Sequence, residues 1–111
     1  MTVKSKSYTL IGDRGEWLGQ IILTSDGMFA SVTDFGNLSY AWRSFGKTDF
    51  REFICNLNTD YFASKLYIGM SYILHGKKCE VACKRFAAEI LPPLQKLLKE
   101  ELAISSEWDA E

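Results

Sequence analysis

The chain has 111 residues, of which 47% are hydrophobic, 14% aromatic and 24% charged, and its formal net charge is −1. This size fits one domain that buries enough surface to fold without a metal ion or a disulfide. The near-zero charge favours neither nucleic acid nor an anionic membrane as a partner. No apolar run approaches the length of a membrane span, and no apolar segment follows the first residues as in a signal peptide. Three cysteines without disulfide-framework spacing then predict a reduced, cytoplasmic protein.

The first 45 residues predict four strands with alternating apolar positions. In "SYTLI", Tyr8 and Leu10 share one side, and in "WLGQIILT" the residues Trp17, Ile21 and Leu23 share one face. The segments "IGDRGE" and "SDG" carry glycines suited to tight turns. The pattern therefore predicts consecutive antiparallel hairpins.

The third turn contains the triplet Asp34-Phe35-Gly36, which also spells the metal-binding tripeptide of protein kinases. The chain lacks the Gly-rich loop, the lysine motif and the catalytic loop that a kinase needs. Asp, Gly and Asn are typical turn residues. We therefore predict that residues 34–37 connect two strands, with Gly36 or Asn37 at positive φ.

The strands on either side of this turn each offer two faces. The helices need an apolar sheet face to pack on, so Tyr40 and Trp42 are assigned to the core. This assignment places a partner-binding surface on the opposite face and the turn. The predicted partner-binding residues are Phe29, Ser31, Asp34, Asn37 and Arg43.

The rest of the chain predicts three or four helices over about residues 48–104, followed by a frayed acidic tail over 105–111. The third helix is expected to end near Pro92-Pro93, and residues after it form either a separate helix or a kinked continuation. Strands followed by helices indicate an α+β fold. We predict one domain over residues 1–111: a four-stranded antiparallel meander with three or four helices packed on one face.

The most specific metal-binding pattern is formed by His75, Cys79 and Cys83, spaced four apart, with Cys55 as a further ligand. The alternative is that Cys79 and Cys83 belong to an apolar helix stripe with Phe86. The stripe is the favoured interpretation, so no metal ion, cofactor or catalytic residue is predicted. A small metal-binding domain through His75 and the cysteines remains an alternative.

A basic helix face gives a second alternative. Lys77, Lys78, Lys84 and Arg85 fall within about a third of the circumference of the third helix, opposite the cysteines. Such a face can contact phosphates, so the sequence leaves open a nucleic-acid-binding module. The acidic residues after Lys99 either dock on a basic partner or only increase solubility.

Three segments, "GDRGEWLGQIIL", "VTDFGNLSYAWRSFG" and "DFREFICNLNTDYFASKL", resemble small proteins encoded by bacteriophages and prophages. The shared pattern is an Asp, an aromatic residue, Gly and Asn, then an aromatic-rich strand that ends in Trp, here Asp34 to Trp42. The similarity covers about residues 9–66 and implies no activity or catalytic residue. Small cytoplasmic phage proteins without a catalytic motif are often inhibitors of host proteins, including anti-CRISPR proteins.

Taken together, these observations predict a non-enzymatic protein that binds a host protein or complex. The resemblance implies an anti-CRISPR-like inhibitor of a host defence complex that occludes a surface in the host cytoplasm. Nucleic acid is a less favoured partner, no membrane is predicted, and the sequence leaves the oligomeric state open.

Overall fold

The computed structural model describes residues 2–46, 48–70, 76–104 and 108. Four strands come first: β1 (Ser5–Ile11), β2 (Trp17–Thr24), β3 (Met28–Thr33) and β4 (Ser39–Ala41). The helices that follow in the described chain are α1 (Phe50–Cys55), α2 (Thr59–Met70) and α3 (Gly76–Ile104). The strands pair antiparallel in sequence order. The predicted α+β meander is confirmed; the predicted frayed tail, apart from Trp108, lies outside the described residues.

Glycines set the turns that the sequence predicted. Gly27, between β2 and β3, has a φ of 103°, and a Cβ there would overlap the Trp42 carbonyl oxygen. Between β3 and β4, Gly36 has a φ of 127°. The Thr33 hydroxyl donates to the Gly36 carbonyl over 2.7 Å, and the Asn37 side-chain oxygen accepts the Thr33 N–H over 3.2 Å. The prediction that residues 34–37 form a turn is therefore confirmed.

Aromatic rings fill the space between the sheet and the helices. Trp42 is only 5% exposed, and its ring stacks on Phe62 of α2 with centroids 6.1 Å apart. Phe29 of β3 meets the same Phe62 ring edge-on at 5.2 Å. The Trp42 indole N–H donates to the Tyr61 hydroxyl, so its polar atom is satisfied. The prediction that Trp42 lies in the core is confirmed.

Helix α3 continues through Pro92 and Pro93, which answers the question of one helix or two. Proline lacks an N–H, so the carbonyls of Ala88 and Glu89 lose their intrahelical donors. Ala88, Glu89 and Pro92 are exposed, so water can bind these carbonyls. The opposite stripe holds the helix in place, because it is buried against the sheet and the other helices. Its buried residues are Cys79, Cys83, Phe86, Ala87, Ile90, Leu91, Leu94 and Leu98.

The side chain of Gln95, on α3, caps the C-terminal end of helix α1. Its side-chain nitrogen donates to the carbonyls of Ile54, Cys55 and Leu57 over 2.7 to 3.2 Å. The last carbonyls of a helix have no intrahelical donor. The Gln95 amide therefore supplies the donor that lets this end of α1 pack closely against α3.

A fully buried arginine connects three elements. Arg51 of α1 is 0% exposed. Two of its nitrogens donate hydrogen bonds to the Asp49 carboxylate, over 3.0 and 2.6 Å. A third nitrogen lies 2.6 Å from Glu101 near the end of α3, and Glu101 also accepts the Tyr8 hydroxyl of β1 over 2.8 Å. The guanidinium lies over the Trp108 ring at 5.2 Å. The network therefore holds α1, the end of α3 and the first strand together.

We expect Arg51→Met to lower the free energy of unfolding by about 3–5 kcal/mol, because it leaves the Asp49 and Glu101 carboxylates without their buried partner. Urea unfolding followed by circular dichroism measures the change. Lys84→Met is the matched control, since it removes the exposed Lys84–Glu80 ion pair on α3, and it should leave the melting temperature nearly unchanged. Equal losses in the two variants would contradict the structural role of Arg51.

Tyr8 makes the free energy of unfolding depend on pH in the alkaline range. Burial and the hydrogen bond to the Glu101 carboxylate raise the Tyr8 pKa well above its ordinary value of 10.0. The folded chain therefore keeps the phenol proton after the unfolded chain has lost it. This contribution is complete below pH 10 and is lost as the pH rises toward the folded pKa, at up to about 1.4 kcal/mol per pH unit. Tyr8→Phe should show a shallower decline in unfolding free energy above pH 10, and parallel declines in both proteins would contradict this reading.

Candidate protein-binding surface

At β3, the structure buries two residues that the sequence analysis assigned to the exposed face of the sheet. Phe29 is 0% exposed and Ser31 is buried, so the prediction that they form an exposed binding face was wrong. The reason is the strand register: Phe29 pairs directly with Tyr40, and paired residues lie on the same face. Since Tyr40 and Trp42 face the helices, Phe29 does too. The Ser31 hydroxyl is satisfied by the Leu38 carbonyl and N–H, at 2.7 and 3.1 Å.

The opposite, outward face carries no charged residue and combines apolar side chains with hydroxyl and amide groups. Along each strand, residues on this face alternate with the buried ones, and cross-strand pairs such as Ile22–Ala30 and Gln20–Val32 form its rows. We call these residues the outer face. It consists of Ser5, Ser7, Thr9, Ile11, Trp17, Gln20, Ile22, Thr24, Met28, Ala30, Val32, Ser39 and Ala41.

An irregularity at the start of β2 brings Trp17 to the outer face. The register shifts between Leu10 and Ile11, so that Ile11 pairs with Trp17 and skips Leu18. A bulge of this kind reverses the alternation of the residues before it. Trp17 is accordingly 41% exposed, whereas Leu18 packs against the core. The predicted common face of Trp17 with Ile21 and Leu23 was therefore wrong.

Five of the ten exposed large apolar side chains among the described residues lie on the outer face. Ile11, Trp17, Ile22, Met28 and Val32 are each at least 41% exposed, and Val32 reaches 58%. The solvent side of an antiparallel sheet normally carries polar and charged residues. A contiguous exposed apolar patch rimmed by polar residues is typical of an interaction site. Sequence reasoning missed this surface, although the pairing of Phe29 with Tyr40 would have identified it.

The other predicted partner-binding residues lie at the rim of the sheet. Asp34, Asn37 and Arg43 are exposed, Asp34 and Asn37 in the turn between β3 and β4 and Arg43 just after β4. Asn37 also holds the turn through Thr33. A role for these three residues in partner binding stays a prediction.

The predicted basic residues divide into two groups on α3. Lys77, Lys78 and Arg85 line a cleft of about 520 Å³ together with Asp34 and Phe35 of the turn. All three are exposed. Lys84 lies outside this cleft and binds Glu80 over 2.9 Å. The structure thus brings three of the four residues to one concave surface.

The cysteines lie where the apolar stripe predicted them. Cys79 and Cys83 are buried in the core cluster, and burial beside Cys79 raises the pKa of the Cys83 thiol to about 11. The Cys55 thiol donates to the Gln95 carbonyl over 3.7 Å, and burial raises its pKa. Within the described residues, His, Cys, Asp and Glu form no group suited to a metal ion. His75 lies outside the described residues.

Across the described ranges, none of the helices has the length and apolar character needed to cross a membrane. The model of the phage family Phage_phiTE_072 matches residues 1–80, which include the whole sheet, α1, α2 and the start of α3. The match confirms the resemblance to phage-encoded proteins; the pattern from Asp34 to Trp42 as a family signature stays a prediction. No curated protein and no solved structure matches the chain.

The buried thiols yield a test of the metal alternative. We expect Cys83→Asp to lower the free energy of unfolding by about 3 kcal/mol or more, because it places a carboxylate in the core. Cys83→Ala should cost only about 1 kcal/mol, and a chelator should leave the melting temperature of the wild-type protein unchanged. Stoichiometric zinc in protein purified without added metal would overturn this expectation.

Proposed function

The chain belongs to this phage family, and on that premise we propose that it is a non-enzymatic protein that binds a host protein through the outer face. The observation that carries the proposal is the set of five large apolar side chains on a sheet face without a charged residue. Their exposure is unfavourable for an isolated protein in water. Burial of these side chains against a partner would remove this unfavourable exposure and so favour binding.

Two features of the outer face are shared with the centre of a protein interface. Charged residues are depleted in such centres, whereas tryptophan and methionine are enriched. Trp17 and Met28 supply these two residue types on the outer face. Rigid aromatic side chains dominate the binding energy of many interfaces, so we assign Trp17 the role of the principal anchor. The threonine and serine side chains around it can donate hydrogen bonds to the partner.

The same composition limits the class of partner. The outer face offers no cation for the phosphates of nucleic acid or of anionic lipids. The sheet face measures roughly 15 by 20 Å from strand spacing and rise, well below the roughly 800 Å² per partner of a stable complex. We therefore expect the partner also to contact the charged rim at Asp34 and Arg43, which enlarges the interface.

In its narrower form, the proposal is that the chain inhibits a host defence complex, as an anti-CRISPR protein does. It would act in the host cytoplasm by occluding a binding surface of that complex. This form is supported by the phage family and by the compact set of aromatic and apolar anchors. Occlusion needs no reaction, only a surface that competes for a binding site. The exposed Asp34, Asn37 and Arg43 would then select the partner through charge and hydrogen bonding at the rim.

The test is to place a charge on the outer face without touching the core. We expect Ile22→Lys and Val32→Glu to keep the circular dichroism spectrum of the wild type, since both side chains point to solvent. Each should weaken binding of the host protein by at least about 30-fold, corresponding to an interface hot spot of roughly 2 kcal/mol. The host protein is identified by affinity purification, then produced pure and titrated by calorimetry.

Ile104→Lys is the matched control, because Ile104 is an exposed apolar residue at the end of α3 and does not belong to the outer face. It should bind like the wild type. Unchanged binding in Ile22→Lys and Val32→Glu would overturn the assignment of the surface. A stable wild-type dimer that both charged variants dissociate, measured by light scattering, would replace the host partner with a second copy of the chain.

Stoichiometry distinguishes occlusion from catalysis. An occluding inhibitor abolishes the activity of its target at about one chain per complex, whereas an enzyme does so at far lower ratios. Restored plaquing of a CRISPR-targeted phage by the wild type, and not by Ile22→Lys, would support the narrower form. Full inhibition at a small fraction of one chain per complex would contradict the non-enzymatic proposal.

A further inference from the structure

A cleft at the start of α3 combines cations with an aromatic ring. It lies between the turn that joins β3 to β4 and the first three turns of α3, and encloses about 520 Å³. Lys77, Lys78 and Arg85 line it from the helix, and Phe35 lines it from the turn. Pockets of this volume accommodate small-molecule ligands. The cleft is separate from the outer face and does not depend on the function proposed for that face.

The three cations of the cleft form no ion pair in the described part of the chain. The ion pairs there use Lys6, Arg51 and Lys84. The first turn of α3 contains no acid, and Glu80, whose pKa is lowered by Lys84 and by Lys77, offsets only part of the positive charge. Asp34 is the one carboxylate in the cleft lining. The net positive charge therefore favours an anionic ligand.

Phe35 gives the cleft a flat surface. The Arg85 guanidinium lies over the Phe35 ring, 5.5 Å from its centroid, and the ring is half-buried. Planar aromatic rings and guanidinium groups are the platforms on which unpaired nucleobases stack. A nucleic-acid strand, in which phosphates alternate with bases, could therefore contact the cations and the stacking platform within the same cleft.

We propose that this cleft binds a short segment of single-stranded nucleic acid. Phosphates contact Lys77 and Lys78, and one base stacks on the Arg85 guanidinium, which itself lies over the Phe35 ring. An acidic peptide would use the same cations but gain nothing from the stacking plane. A duplex does not expose an unstacked base, so it cannot use that plane either.

The experiment is fluorescence anisotropy with a labelled oligothymidylate of about ten nucleotides, titrated with the full chain at several salt concentrations. Saturable binding should weaken with salt, with a log–log slope of roughly −1.4, because Lys77 and Lys78 each release about 0.7 counterion from a single strand. Lys78→Gln and Arg85→Gln should each weaken binding by roughly 5- to 10-fold near 50 mM salt, and Lys78→Gln should also make the slope shallower by about 0.7.

Two further variants distinguish the effect of cleft residues on binding from that of a residue outside the cleft. Lys84→Gln removes a lysine of the same helix that lies outside the cleft, and should leave the affinity unchanged. Phe35→Leu should weaken oligothymidylate binding by at least about 5-fold through lost stacking while leaving tripolyphosphate binding unchanged, since that anion has no base. Circular dichroism confirms that each variant is folded.

Each alternative ligand has a distinct outcome. No saturable binding of oligothymidylate, or equal losses in Lys84→Gln and Lys78→Gln, would overturn the site. Tighter binding of polyglutamate or of duplex DNA than of the single strand would overturn the assigned ligand. Binding of ATP alone as tightly as the oligonucleotide would assign the cleft to a free nucleotide instead of a strand.

Discussion

The buried ion network of Arg51 determines how the helical layer meets the sheet. Its two carboxylate partners come from opposite ends of the helical region, Asp49 before α1 and Glu101 near the end of α3, and Tyr8 joins them from the edge strand β1. A guanidinium without these partners would carry a large desolvation cost in the interior. The network therefore holds the end of α3 against β1, while Phe86 nearer the start of α3 packs against Phe29 of β3, so that α3 runs across the inner face of the sheet.

That arrangement separates the two surfaces assigned to binding. The inner face is closed by the helices, so the outer face of the sheet and the solvent-facing sides of the helices remain for partners. The outer face is uncharged and partly apolar, whereas the cleft at the start of α3 is cationic. Surfaces with such different chemistry select different ligands. One chain can thus contact a protein through the sheet and a phosphate-bearing ligand through the helix.

Much of the fold could be predicted from periodicity and turn residues, whereas the assignment of faces could not. Alternation divides β3 into two sets of residues, but only the pairing of Phe29 with Tyr40 reveals which set is buried. Trp17 was misplaced because a bulge leaves no clear mark in a sequence. The continuity of α3 through Pro92-Pro93 depends on tertiary packing that overrides a local helix breaker. Asp34, Asn37 and Arg43 were correctly expected at the surface because turns and strand ends lie there.

The position of α3 at the end of the fold has a consequence for synthesis on the ribosome. The strands leave the ribosome first, and their hairpins need only neighbouring residues to pair. Helix α3, which packs Phe86 against Phe29 and joins Glu101 to Tyr8, is completed only when residues 76–104 have been added. At about 5–20 residues per second, the inner face of the nascent sheet lacks this helix for several seconds. During that interval we expect apolar residues of the strands to be accessible to chaperones.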